Sequence, residues 1–458
     1  MLRPSGCALA LTLILSALGC STRPVDKAID HVDLSQGYRP QIHPSRKHLH
    51  DTQILITFSG GGTRAAAFAY GVLEELRQTP VAVARDPHPL SDEIDLIIGV
   101  SGGSFTALAF GLRGDRLFDT YEQDFLKRDV QGALIARALD PREWGTLASR
   151  GGGRSELAAN YYDEILFHGA TFADLAATPG PYVIATGTDI STGARLSFAQ
   201  SDFDALCTDL SPVRLARAAA TSSAVPVVLS PVTFDNHGGH CGYHPPVWVN
   251  DALSDSARSA DVPVGRLRQR YREITDFERG DGRPFLHLVD GGVADNLGLR
   301  ALLERFMQAE ASPAFRSQLH LETLQRTLLI VVNARSAPAT HWDRSEDGPG
   351  ALDLLLQSIS VPIDRESDES MELMRDLMAR WQKPAPTSTA GTRAPRFFVA
   401  NVSLDAVPDA AERGRLLSIS TSFSLPADDI DHLRQAAAHV LRSSPEFQAF
   451  LRDLAGSD

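Results

Sequence analysis

An α/β fold with parallel strands covered by helices is what this sequence predicts, on three observations. Two short apolar runs, Ile54–Phe58 and Ile94–Ile98, each feed a glycine-rich turn and then a helix with apolar residues at helical spacing. A third run, Phe285–Val289, ends in Asp290-Gly291-Gly292, an acid at the carboxyl end of a strand, where ligands of open α/β sheets collect. Consecutive strand, turn and helix units imply parallel strands whose turns lie at one sheet edge.

With 458 residues, 43% of them hydrophobic, the chain can bury a large core as one big domain or two to three smaller ones. A formal charge of −13 with no long Lys/Arg run argues against a nucleic-acid partner and against electrostatic docking on anionic lipid. A membrane role needs another anchor. Arg3 is followed by an apolar run from Ala8 to Leu18, too short to span a bilayer, and then by Ala17-Leu18-Gly19-Cys20-Ser21. This resembles a bacterial lipoprotein signal, which implies removal of residues 1–19, lipidation of Cys20 and, from Ser21, an outer-membrane location facing the periplasm. An uncleaved short anchor, or an ordinary secretory signal with a secreted product, is the alternative. Residues 20–50 are polar and without periodicity, which suits a tether, so the folded domain is expected over 51–458.

The first strand runs into Ser59-Gly60-Gly61-Gly62-Thr63-Arg64, and Ala65, Phe68, Ala69, Val72, Leu73 and Leu76 then mark a helix. Three glycines at a helix N-terminus expose backbone N–H groups that favour an anion. Gly60-x-Gly62-x-x-Ala65 is a passable dinucleotide fingerprint, but no acid follows a second strand about twenty residues on. The other reading is an oxyanion hole made by these amides. Pro80 to Asp92 reads as a polar loop. The second unit carries Gly99-Val100-Ser101-Gly102-Gly103, with Phe105, Leu108, Ala109 and Leu112 striping its helix. Small residues on both sides of Ser101 are what a sharp strand-to-helix elbow needs to present a nucleophile.

From Asp115 to Leu175 the periodicity is helical, with Gly151-Gly152-Gly153-Arg154 as a connection. Tyr182–Thr186 reads as a strand and Leu196–Phe198 as its hairpin partner. A helix over Val213–Ala220 is broken by Thr221-Ser222-Ser223 and Pro226. An irregular insertion near 233–284 gathers His237, His240, Cys241 and His244 before a charged helical stretch, Arg266–Arg279. A zinc site drawn from His237, Cys241 and His244 matches no standard ligand spacing. With Cys7 removed and Cys20 lipidated, a Cys207–Cys241 disulfide is expected, with two free thiols as the alternative. Thr327–Val332 and Phe397–Val402 read as further strands, and Ala427–Leu454 as a closing helix pair.

Three motifs in this order, Gly60-Gly61-Gly62-Thr63-Arg64, Gly99-Val100-Ser101-Gly102-Gly103 and Asp290-Gly291-Gly292 followed by Asn296, resemble the patatin-like phospholipase family over roughly Thr52 to Arg335. Thr171-Phe172-Ala173-Asp174-Leu175, Thr188-Asp189 and Ala218–Pro226 add weaker similarity. Ala65 and Gly298 depart from the pattern, standing where the family usually has a glycine and often a proline. The resemblance implies a three-layer α/β/α fold with a mostly parallel central sheet. It implies a Ser-Asp dyad with Ser101 as nucleophile and Asp290 as base, the amides of Gly60, Gly61 and Gly62 as oxyanion hole, and Arg64 bracing that loop. Gly99, Gly103, Gly291, Gly292 and Asn296 support these groups. The implied activity is hydrolysis of carboxylic esters in phospholipid or lysophospholipid, with no cofactor and no metal; acyl transfer or non-catalytic lipid binding are the alternatives, and protein partners stay open. An ordinary α/β-hydrolase, whose order is Ser, acid, His, would need one of His341, His432 and His439.

Overall fold

The computed structural model describes residues 23–83, 86–149, 151–253, 264–319, 321–337, 340, 342–382 and 395–456. Residues 1–19, Cys20 and His341 lie outside the described residues.

The apolar run after Asp51 becomes strand β1, Thr52–Phe58, and its glycine turn opens helix α1, Gly62–Gln78. Pro80 to Asp92 is not a plain loop: β2, Pro80–Val83, pairs antiparallel with β3, Asp86–Pro89, with a proline at the outer end of the ribbon in each strand. That placement agrees with proline's exclusion from central strands. Strand β4, Leu96–Gly99, and helix α2, Gly102–Arg113, form the second unit. Beyond the helical stretch come β5, Tyr182–Asp189, its partner β6, Arg195–Ser197, helix α3, Leu215–Ser222, and β7, Val232–Asp235. Helix α4, Val264–Phe277, strand β8, Phe285–Asp290, and helix α5, Leu299–Ala311, complete the middle of the chain. The last third holds β9, Arg326–Asn333, α6, Ala351–Trp381, β10, Arg396–Ser403, α7, Ala427–Ser443, and α8, Pro445–Ala455.

The main sheet runs β10-β9-β1-β4-β5-β8-β7, with β6 on β5. The five strands from β10 to β5 are parallel, whereas β8, β7 and β6 pair antiparallel. Helices α1, α2, α3 and α7 pack together in one layer, and α4, α5 and α6 in the other. The three-layer, mostly parallel arrangement follows from strands apolar on both faces: six of the seven β1 residues are buried. Close approach of α1 and α7 depends on Gly71, where a Cβ would meet the Arg434 carbonyl oxygen at 2.3 Å.

Residues 23–50 do not form a free tether. Tyr38 is 1% exposed and stacks on Tyr182 with ring centroids 4.4 Å apart; its hydroxyl donates to the Val183 carbonyl at 3.0 Å and accepts the Val183 N–H at 2.7 Å. Arg39 forks onto Asp204 at 2.7 and 2.9 Å, Asp26 accepts from buried Arg217 at 2.9 Å, and Arg23 is paired with Asp235. The segment is a strap fixed by polar side chains, so it has no apolar periodicity to reveal it. Nor is the start of the 233–284 stretch an insertion, since Val232–Asp235 is the sheet's outer strand. Helix α6, 31 residues long with Pro362 inside it, had no counterpart among the expected elements.

Cys207 and Cys241 are joined by a disulfide, with Cα atoms 5.5 Å apart. That bond and the hydrogen bond from His237 Nε2 to the Asp26 carbonyl remove two of the three groups of the drawn zinc set. No described helix is long and apolar enough to cross a membrane.

Candidate active site

Ser101 sits between the end of β4 and the first turn of α2 at φ 49°, ψ −122°. A left-handed conformation in a residue with a Cβ costs of order 1–3 kcal/mol and persists only where its surroundings impose it. They do: Val100 N–H donates to Phe58 O at 3.0 Å, Ser101 N–H to Ser222 Oγ at 2.9 Å, and both the N–H and the hydroxyl of Ser104 to Ser101 O at 3.0 and 2.6 Å. Gly99 and Gly103 flank this turn, and the N–H of Gly103 closes it on Val100 O at 2.9 Å.

The Ser101 hydroxyl donates to Asp290 Oδ2 at 2.7 Å, and the other carboxylate oxygen, Oδ1, accepts the Gly292 N–H at 2.7 Å. The backbone around Asp290 is equally fixed: its N–H donates to Ala224 O at 3.0 Å, Gly291 N–H to Ser222 O at 3.0 Å, and Thr188 Oγ1 to Asp290 O at 2.9 Å. Ser101 and Asp290 are 5% and 6% exposed. Burial pushes the Asp290 carboxyl up to about 6, against the opposing pull of the Ser101 and Gly292 hydrogen bonds. Among the described residues no histidine stands between the two groups. His432, a partner the hydrolase order would need, hydrogen-bonds to Glu412 at 2.7 Å instead.

The glycine turn lies against the elbow: a Cβ on Gly102 would meet Gly62 O at 2.0 Å. Gly60 is not the amide donor expected of it. Its N–H is committed to the Asn296 carbonyl at 3.0 Å, and a Cβ there would come within 2.4 Å of Asn296 Oδ1 and 3.2 Å of Ser101 Cβ. Thr63 N–H is likewise spent, on Ser422 O at 2.9 Å. Between them, Gly61 and Gly62 adopt φ 137° and 61°, and among the described residues their N–H groups meet no acceptor. They are the cap and first residue of α1, whose N–H groups have no partner inside the helix.

Arg64 braces this turn from below. It is 3% exposed and donates to Ala334 O at 2.8 Å, Ile419 O at 2.6 Å and Thr421 Oγ1 at 3.3 Å, tying the loop after β9 to the 419–422 segment. Burial lowers its pKa to about 10, against the opposing pull of the Asp364 carboxylate. Read as sequence, Ser222, Thr188 and Ser422 have no role in the site; Thr188-Asp189 and Ala218–Pro226 stood out only as stretches of weaker family similarity, the second also as a helix stop, and Ser422 carried no signal.

Among the described residues, His48, His88 and Glu93 are the group whose donors lie close enough to share a cation. Both imidazoles hydrogen-bond to Glu93, at 3.1 and 2.7 Å, beyond the opposite end of β4 from Ser101.

No curated protein matches significantly. Among solved structures, human GIVD cytosolic phospholipase A2 is 13% identical with a TM-score of 0.39, covering 91% of this chain and 63% of its own. VipD from Legionella pneumophila is 9% identical with a TM-score of 0.26, covering 93% of this chain and 73% of its own. The chain thus spans less than two thirds of the human protein. The family model described as Patatin-like phospholipase matches residues 56–303, more than half of the chain and the whole stretch from the glycine turn through Ser101 to Asp290. By that match the chain belongs to the patatin-like phospholipase family.

Proposed function

We propose that this protein is a lipid acyl hydrolase that cleaves carboxylic esters of phospholipid or lysophospholipid through Ser101 and Asp290. The observation that supports the reading most is the direct 2.7 Å hydrogen bond from the Ser101 hydroxyl to a buried carboxylate. Asp290 takes the hydroxyl proton as Ser101 Oγ attacks the ester carbonyl, and the N–H groups of Gly61 and Gly62 receive the developing oxyanion. As the tetrahedral species collapses, the same proton passes to the leaving alcohol. Water, deprotonated by Asp290, then attacks the acyl-enzyme and releases the fatty acid.

A carboxylate of ordinary pKa near ~4 is a weak base for a hydroxyl. The rise to about 6 narrows that gap, and the N-terminus of α2, which Ser101 caps, favours negative charge on Oγ. A fluorophosphonate probe should label Ser101, and labelling should vanish in Ser101→Ala while the circular dichroism stays unchanged. Equal labelling of that variant contradicts the assignment. Fatty-acid release that requires an added acceptor alcohol points to acyl transfer instead.

The Ala17–Ser21 box supports a lipid anchor on Cys20, at the outer membrane and facing the periplasm. Incorporation of labelled palmitate that is lost in Cys20→Ala tests it; incorporation that persists contradicts it.

A further inference from the structure

The register of the sheet sets an outward side for this protein. Gly99, two residues before Ser101, pairs with Ala185 of β5, and β5 continues to Asp189 before Ile190. Strand β8 approaches from beyond that end: Asp290 pairs with Gly187 and Leu288 with Asp189, while Phe285 pairs with Asp235 of β7 farther out. Phe285 and Asp235 are therefore the paired strand residues that project farthest past the edge where Ser101 sits.

Large apolar side chains are exposed on this side. Phe285 is 49% exposed, Ile190 51%, Val227 48%, Val228 56% and Val25 76%. They belong to neighbouring segments. Ile190 N–H donates to His287 O at 3.0 Å, and the Arg23 guanidinium lies 5.3 Å from the Phe285 ring centroid. Val227 and Val228 come three and four residues after Ala224, the residue whose carbonyl holds the Asp290 N–H, and Arg154 donates to Val227 O at 2.8 Å. Val227 holds φ 74°, a genuine outlier for a β-branched residue, and such strain clusters at functional sites. Exposed apolar patches of this kind mark interaction surfaces.

What covers them follows from the apolar N-terminal run and the point at which the strap after it is fixed. Arg23 is fixed to Asp235 on the same outward tip. The apolar run Ala8–Leu18 ends five residues before it, a reach of at most about 18 Å, and Cys20 is nearer still. Either anchor brings a bilayer to this face rather than to the opposite edge.

We propose that the surface formed by Val25, Ile190, Val227, Val228 and Phe285 lies on the lipid bilayer and delivers substrate to Ser101. The first half rests on the N-terminal anchor read at Ala8–Cys20, and the second on the hydrolase reading above. The strap makes the geometry definite: an anchored strap fastened at Arg23 holds the site against the membrane instead of letting it swing on a thirty-residue leash.

The test uses the full chain carrying Ser101→Ala, mixed with vesicles of phosphatidylethanolamine and phosphatidylglycerol. A photoreactive benzophenone amino acid is incorporated in place of Val228, of Ile190, or of Gln318. Gln318 is exposed and lines the cavity at the other sheet edge with Gln53 and Leu96. Lipid adducts should form about tenfold more from the first two positions than from Gln318, and equal or reversed yields overturn the proposal. Separately, Val228→Asp combined with Ile190→Asp should cut turnover of vesicle phospholipid about tenfold, the scale of losing one buried aliphatic side chain, and leave a soluble short-chain ester unaffected. Loss on both substrates, or on neither, contradicts the docking face. An absence of all turnover in the parent protein, with adducts at Val228 and Ile190 intact, overturns the hydrolase reading and keeps the docking face.

Discussion

The Ser101 hydroxyl donates straight to Asp290 Oδ2 at 2.7 Å, inside a site where both residues are more than nine-tenths buried. In the proposed mechanism no imidazole relays the proton, so the carboxyl itself must be ionised to act. With its pKa raised to about 6, kcat/KM should climb about tenfold per pH unit below that value and level off above it. A pH profile on a soluble ester checks this, and a profile flat from pH 4.5 to 8 argues against it.

The same shift has a sign in stability. Asp290 holds its proton up to about 6 when folded but only to about 3.8 when unfolded, so the folded state binds more protons in that window and stability falls as pH rises through it. Ionising this carboxyl costs the native state about 3 kcal/mol at neutral pH. Asp290→Asn should therefore unfold at higher urea than wild type at pH 7.5, with the advantage fading toward pH 4.

Arg64 braces the glycine turn proposed as the oxyanion hole, and its three acceptors, two of them backbone carbonyls, have no substitute donor in Arg64→Ala. Each unsatisfied buried acceptor costs about 1–3 kcal/mol. The variant should lose stability by several kcal/mol in urea unfolding and, if the proposed hole acts in the transition state, lose kcat more than it changes KM.

The Cys207–Cys241 disulfide closes a span of 34 residues. Chain entropy puts its worth at about 3–4 kcal/mol. Reduction, or Cys207→Ser with Cys241→Ser, should lower the urea midpoint accordingly.

Asp26→Ala tests whether the strap belongs to the fold. It would leave Arg217, 2% exposed, with Glu156 and the Thr233 carbonyl but without one of its two charge partners. Breaking a buried pair on one side costs on the order of 3 kcal/mol. A chain started at Thr52 should be less stable still, and a truncated protein as stable as the whole would contradict the strap.

The motif glycines were legible because a crowded turn leaves a chemical signature: Gly102 and Gly62 touch, and no other residue fits there. Ser101 and Asp290 were legible for a related reason, since each ends an apolar strand. The Gly60 amide was misjudged because sequence cannot say which of three adjacent N–H groups is already spoken for; Asn296 O takes it. Strap residues 23–50 were misread because Tyr38, Arg39 and Asp26 act through partners more than a hundred residues away. Helix α6 escaped because much of its first half is exposed and carries Pro362, leaving a weak apolar stripe.

Fatty-acid release from phospholipid vesicles by the full chain, wild type against Asp290→Asn, tests the central claim most directly. Loss of a general base predicts a fall of about 10²–10⁴-fold with the fold intact. Release within a few-fold of wild type would contradict a Ser101–Asp290 dyad.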